Sequence, residues 1–213
     1  MDRLENAIDD FYAAFRDVDP PKKIDGCEHC LDSKEVEILL GSPLRELQPD
    51  DLSSYAASAF LTVGNVEDYF YFLPRIMEIS LHDNTWWPSM EVTARAIRAT
   101  DIPSWPANRR KSLIRLLHAE IDRMLKTEEY FRLDEWLCAI GRMELDVQRF
   151  LTRIGSDHGA VLAYWEANAE HLHEGKLGSS FWQLPNKGHD DIVRWLKSDP
   201  IRKIYADAYG YKI

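Results

Sequence analysis

The chain has 213 residues, 45% of them hydrophobic, and a formal net charge of −10. This length and apolar content suffice for a core without disulfides or metals, which predicts one domain spanning residues 1–213. The acidic balance disfavours nucleic acid and anionic membrane surfaces as partners, and no apolar stretch approaches the about 20 residues that a membrane span needs. Three cysteines without a secretory signal indicate reduced thiols in a cytoplasmic protein.

The negative charge is concentrated in the first part of the chain. Residues 1–91 hold 7 Lys and Arg against 19 Asp and Glu, a net charge of −12, whereas residues 92–213 have a net charge of +2. We therefore distinguish an N-terminal acidic part, 1–91, from a near-neutral part, 92–213. Such a field attracts basic partners, although its commonest role is to keep a protein in solution.

The acidic part shows the three- and four-residue spacing of apolar positions that is typical of amphipathic helices. Asp32 and Glu35 have capping-box spacing, and Gly41 is predicted to end that helix in the left-handed conformation. Pro74 is predicted to kink or divide a later helix. The predicted helical segments are 4–18, 36–40, 49–63 with Gly64 as its end, and 66–81.

The near-neutral part continues the same pattern, with an irregular glycine- and proline-rich loop over 175–188. No sustained two-residue alternation is present, so we expect no sheet. The sequence predicts an all-α fold of about nine to eleven helices, a compact multi-helix bundle or an irregular stack of antiparallel helical hairpins. The helical segments here are 90–97, 106–126, 133–140, 145–154, 159–173 and a final pair that Pro200 separates.

Cys27 and Cys30 form the sharpest local motif, because two thiolates separated by two residues can bind one Zn²⁺. A structural zinc needs four ligands, and no second pair with ligand spacing follows. If a metal is bound, these two cysteines are its predicted ligands, while a plain structured loop is the commoner case. A redox role is weaker, since Asp25, Glu28 and Asp32 are expected to raise the thiol pKa.

Other groups of residues give weaker indications of a functional site. Glu170 and His173 have the spacing of a carboxylate-bridged di-iron motif, but its second half is missing, so a solvated helix end is expected. The basic cluster over 109–115 is expected to pair with the acidic surface of the N-terminal part. No phosphate-binding loop, nucleophile elbow or catalytic triad is present.

Several segments resemble a family of uncharacterised, all-helical bacterial proteins. They are 26–30 (GCEHC), 43–47 (PLREL), Tyr55, 64–68 (GNVED), 72–76 (FLPRI) and 135–141 (EWLCAIG). The resemblance covers about two thirds of the chain. It implies no activity and no catalytic residues, because none is assigned to that family.

We therefore predict a non-catalytic protein-binding module whose partner is another protein with a basic surface. The concrete form is an immunity-type inhibitor of a basic toxin, and the alternative is a metal-dependent helical enzyme or a zinc-stabilised protein. For each acid, a local role at a helix start is the competing interpretation. The predicted partner-binding residues are four acids at helix starts, Asp50, Asp51, Glu67 and Asp68, and the adjacent Trp86 and Trp87, of which one is expected to be exposed.

Overall fold

A computed structural model describes residues 3–210, in which eleven α-helices and three short 3₁₀ helices are the only regular elements. The all-α prediction is confirmed, and the number of helices agrees with the periodicity. The α-helices are α1 (Arg3–Ala14), α2 (Ser33–Gly41), α3 (Pro49–Ser58), α4 (Val66–His82), α5 (Met90–Ala99), α6 (Ala107–Thr127), α7 (Leu133–Arg142), α8 (Gln148–Ile154), α9 (His158–Leu172), α10 (Lys187–Leu196) and α11 (Asp199–Tyr209).

The chain forms two compact units, one ending at Ala119 and the other beginning at Glu120, so that the boundary lies within α6. Residues 1–119 hold 13 Lys and Arg against 20 Asp and Glu, and residues 120–213 hold 13 against 16. The first unit therefore carries most of the negative charge. The prediction of one domain stays a prediction.

The core of the first unit surrounds α4, whose aromatic run supplies the fully buried Tyr69 and Phe72. Phe72 packs against Tyr55 of α3, with ring centroids 4.9 Å apart. Pro74 was predicted to kink or divide this helix, but α4 continues through it as one element to His82.

Helix boundaries were predicted well where a side chain caps the helix. The Asp32 carboxylate accepts a hydrogen bond from the Glu35 backbone N–H, and the Glu35 carboxylate accepts one from the Asp32 N–H, both at 2.8 Å. Two glycine predictions were wrong. Gly41 is the last residue of α2 without a left-handed φ, and α3 ends at Ser58, six residues before Gly64.

The second unit packs around Trp136, Phe150 and Tyr164, which α7, α8 and α9 bury almost completely. An irregular segment joins α9 to α10, as the glycine and proline content predicted. Trp165 is half-buried, and its ring stacks on that of Tyr205 of α11 with the centroids 3.8 Å apart. Within residues 3–210, no helix combines the length and apolar character needed to cross a bilayer.

Replacing Asp32 with alanine is expected to lower the free energy of unfolding by about 1 kcal/mol, because the first turn of α2 loses its side-chain acceptor. Urea titration followed by circular dichroism measures the change. Ser33→Ala is the matched control, since the exposed Ser33 side chain forms no such cap. Equal stability of the two variants would contradict the capping role.

Candidate functional site

The start of α3 carries two of the acids that the sequence singles out. The Asp51 carboxylate accepts a hydrogen bond from the Gln48 backbone N–H at 2.7 Å, so this residue caps its own helix. Asp50 is exposed, and within residues 3–210 its side chain has no hydrogen-bond or ion-pair partner. The competing local role therefore applies to Asp51, while the Asp50 carboxylate stands free in solvent.

The two tryptophans lie beside this helix start and have different environments. The buried Trp86 donates a hydrogen bond from its indole Nε1 to the Pro49 carbonyl oxygen at 2.9 Å. Ser53 of α3 donates from its hydroxyl to the Trp87 carbonyl oxygen at 2.7 Å. These two bonds hold the connection between α4 and α5 against α3, and they leave the Trp87 side chain 55% exposed.

Helix α2 adds a third carboxylate to the same place. Ser54 donates from its hydroxyl to Glu35 Oε1 at 2.6 Å, and Ser54 lies one helical turn after Asp50 and Asp51. The sequence indicates only the capping role of Glu35, because residue spacing does not show which other helix its side chain contacts. We call Glu35, Asp50, Asp51 and Trp87 the α3-start surface.

Glu67 and Asp68 lie elsewhere, at the start of α4. The Asn65 side chain donates from Nδ2 to Asp68 Oδ2 at 2.9 Å, and burial of the Asp68 carboxyl raises its pKa. Glu67 is exposed without a partner among the described residues. The start of α4 follows the C-terminal end of α3 in the chain, whereas Asp50 and Asp51 lie in the first turn of α3. The structure thus brings four of the six predicted residues together and separates two.

The cysteine loop packs against the segment between α3 and α4. Cys27 donates its backbone N–H to the Thr62 carbonyl oxygen at 2.9 Å, and Gly64 donates to the Asp25 carbonyl oxygen at 2.8 Å. Cys30 donates its N–H to the Cys27 carbonyl oxygen at 2.9 Å, which closes a turn. Both cysteines are half-buried free thiols.

The environment of Cys27 contradicts one prediction. The His29 backbone N–H and then the Cys30 side chain hydrogen-bond the Cys27 sulfur, and these contacts lower the pKa of Cys27. Glu28 opposes the shift, as expected, but contributes less. The predicted increase was wrong because charge counting along the sequence ignores the backbone N–H groups that the turn directs at the sulfur.

No group of three or more His, Cys, Asp or Glu side chains within residues 3–210 is arranged to hold a metal ion. Zinc binding by Cys27 and Cys30 stays a prediction. The acidic end of α9 is a solvated helix end, as expected. The helix stops at Leu172, and the side chains that suggested a metal motif are exposed: Glu166, Glu170, His173 and Glu174.

The basic cluster of α6 pairs with α1 and the residues that follow it, as the sequence predicted. The buried Arg109 contacts Asp17 at 2.8 Å and the Ala14 carbonyl oxygen at 3.2 Å, while Arg115 pairs with Asp10. A groove of about 630 Å³ lies along these residues. Acidic and basic side chains both line this groove, so its charge favours neither an anionic nor a cationic ligand.

No family model, no curated protein and no solved structure matches the chain, so these comparisons assign it to no class of protein. The resemblance to uncharacterised bacterial proteins stays a prediction. Any functional proposal therefore rests on the α3-start surface and on the cysteine loop.

Proposed function

We propose that the protein is a non-catalytic, cytoplasmic binding module that holds a basic partner protein at the α3-start surface. The observation that carries this proposal is the exposed Trp87 indole, whose backbone is held by Ser53 of α3, three residues after Asp50, a carboxylate without a partner within residues 3–210. An exposed tryptophan on a rigid backbone is a frequent energetic centre of protein interfaces. Neighbouring carboxylates favour a partner that presents lysine or arginine.

The charge distribution supports a partner that is basic over a wide area. None of the three carboxylates at the α3-start surface has an ion-pair partner among the described residues, and the first unit as a whole is strongly acidic. A field of this sign steers a cationic protein toward the surface and raises the association rate, most strongly at low salt.

An immunity-type inhibitor is the concrete form of this proposal. Toxins that attack nucleic acids need a positively charged substrate site, and a protein that covers such a site needs acids together with an apolar anchor. Asp50 and Asp51 would face the cationic side chains of the toxin, and Trp87 would supply the anchor.

Affinity purification of the tagged protein from its native cell, with mass spectrometry, is the first experiment. We expect a reproducible basic partner whose association slows steeply as salt rises. With the partner purified, Trp87→Ala is expected to weaken binding about tenfold through faster dissociation, because the buried indole area is lost. Asp50→Asn is expected chiefly to slow association.

Matched changes outside the α3-start surface provide the controls. Phe131→Ala removes an even more exposed aromatic ring, 72% accessible, from the second unit, and Glu166→Gln removes an exposed carboxylate there. Both variants are expected to bind like the wild type. A partner that binds equally fast at high salt, or that tolerates Trp87→Ala as well as Phe131→Ala, would contradict the proposal.

A further inference from the structure

The turn from Cys27 to Cys30 has the dimensions that a disulfide requires. Its closing hydrogen bond, from the Cys30 N–H to the Cys27 carbonyl oxygen, is 2.9 Å long. A turn closed in this way keeps its first and fourth Cα atoms within about 7 Å, and disulfides join Cα atoms about 4.4–6.8 Å apart.

The surroundings distinguish the two loop thiols from Cys138. Both loop cysteines are half-buried and accessible to a reactant, whereas Cys138 lies completely inside the second unit. Two hydrogen bonds to the segment 62–64 fix the position of the loop.

We propose that Cys27 and Cys30 are a dithiol site that undergoes thiol–disulfide exchange, with a disulfide of another molecule as the oxidant. This site shares no residue with the α3-start surface, although Glu35 of that surface follows Cys30 by five residues. The reactant is either a small-molecule disulfide or a protein disulfide, since both present the same bond.

The exchange balances in two steps. The thiolate of one loop cysteine attacks one sulfur of the incoming disulfide, so that a mixed disulfide forms and the other half leaves as a thiolate that takes up a proton. The sulfur of the other loop cysteine, after losing its proton to solvent, attacks the loop sulfur of the mixed disulfide. The Cys27–Cys30 disulfide forms, and the second half of the oxidant leaves as a thiol. Two cysteines are oxidised, and one disulfide is reduced to two thiols.

The test is to add oxidised glutathione to the reduced protein and then to digest it with trypsin. Trypsin cleaves after Lys23 and Lys34 and can release residues 24–34 as one peptide that holds both cysteines. We expect mass spectrometry of this peptide to show the loss of two hydrogen atoms and no bound glutathione. Cys138→Ser is the control variant and is expected to react like the wild type.

Single variants test the second step of the exchange. Cys30→Ser is expected to stop at a stable glutathione adduct on Cys27. Cys27→Ser is expected to stop in the same way at an adduct on Cys30, because neither variant keeps the second thiol that resolves the mixed disulfide. Release of glutathione from either single variant, without added reductant, would overturn the two-cysteine exchange.

Two further results would overturn the site itself. One is a persistent glutathione adduct on the wild-type protein, which would show that Cys30 cannot reach the Cys27 sulfur. The other is stoichiometric zinc in purified, untagged protein, with oxidation only after chelation, which would make the motif a metal site. If the protein does not react with glutathione, the oxidant can still be a protein disulfide. Capture of that protein as a mixed disulfide on the Cys30→Ser variant would then support the proposal.

Discussion

Replacing Glu120 with alanine is expected to lower the free energy of unfolding by about 3 kcal/mol, because it removes the most deeply buried counter-ion of two arginines. Glu120 is 0% exposed and lies 3.1 Å from Arg132, which is 4% exposed. Arg123 donates to the same carboxylate at 2.8 and 3.0 Å. Both arginines keep Glu129, which lies 2.6 Å from Arg123 and 3.8 Å from Arg132 but is 30% exposed.

Burial is the larger influence on Glu120 itself and raises the pKa of its carboxyl, although Arg123 and Arg132 oppose the shift. The neutral Glu120→Gln variant, which keeps the shape and an acceptor oxygen, is therefore expected to lose less stability than Glu120→Ala. Urea titration compares the two variants with the wild type.

Glu166→Ala makes the same chemical change at an exposed helical position and is expected to alter the free energy of unfolding by less than about 0.5 kcal/mol. The double variant Glu120→Ala, Arg132→Ala is expected to lose less than the sum of the two single losses, because Glu120 and Arg132 contact each other at 3.1 Å and each single change already removes that contact. Additive losses would show that the contact between Glu120 and Arg132 contributes no coupling.

Replacing Gly64 with alanine is expected to cost about 2–4 kcal/mol, because two unfavourable effects coincide. Gly64 has a φ of 71°, a left-handed conformation that strains residues with a Cβ. A Cβ there would also lie 2.8 Å from the Tyr55 hydroxyl oxygen, inside the packed core. The same residue anchors the cysteine loop through its N–H, so the reactivity of Cys27 is expected to change with stability.

Substitutions at two other glycines allow the conformational cost to be measured separately from the steric cost. Gly175 has a φ of 72° with open space around it, so Gly175→Ala is expected to show only the conformational cost, about 1–2 kcal/mol. Gly41 has neither constraint, and Gly41→Ala is expected to be close to neutral. Urea titration of the three variants gives the ranking. A loss for Gly64→Ala no larger than that for Gly175→Ala would contradict the steric contribution.

Tyr55 provides an internal check on the clash. Its hydroxyl is buried without a hydrogen-bond partner among the described residues, so Tyr55→Phe alone is expected to be neutral or slightly stabilising. In the Tyr55→Phe background the nearest atom to the new Cβ is gone, and Gly64→Ala is expected to cost less. An unchanged cost would show that the Tyr55 hydroxyl contributes nothing to it, and would leave the ring carbons, 3.0 and 3.2 Å from the new Cβ, and the backbone as its sources.

The sequence by itself determined the helical class and the starts of helices such as α2 and α4. Periodicity and capping are interactions between residues three or four positions apart, and these interactions act within one helix whatever surrounds it. The cap of Asp32 could be predicted for this reason. The sequence predicted helix ends at glycine less well. Gly41 ends α2 without a left-handed φ, and Gly64 has a left-handed φ but lies six residues after the end of α3.

Only the tertiary structure decided which chemical groups meet. Trp86 is buried and Trp87 exposed because Pro49 and Ser53, more than thirty residues away, bind the connection between α4 and α5. The prediction for Cys27 was wrong for a related reason, since the turn directs backbone N–H groups at its sulfur. Hydrogen bonds and burial depend on distance and direction between atoms, and neither quantity follows from residue type and spacing when the contacting groups lie on different elements.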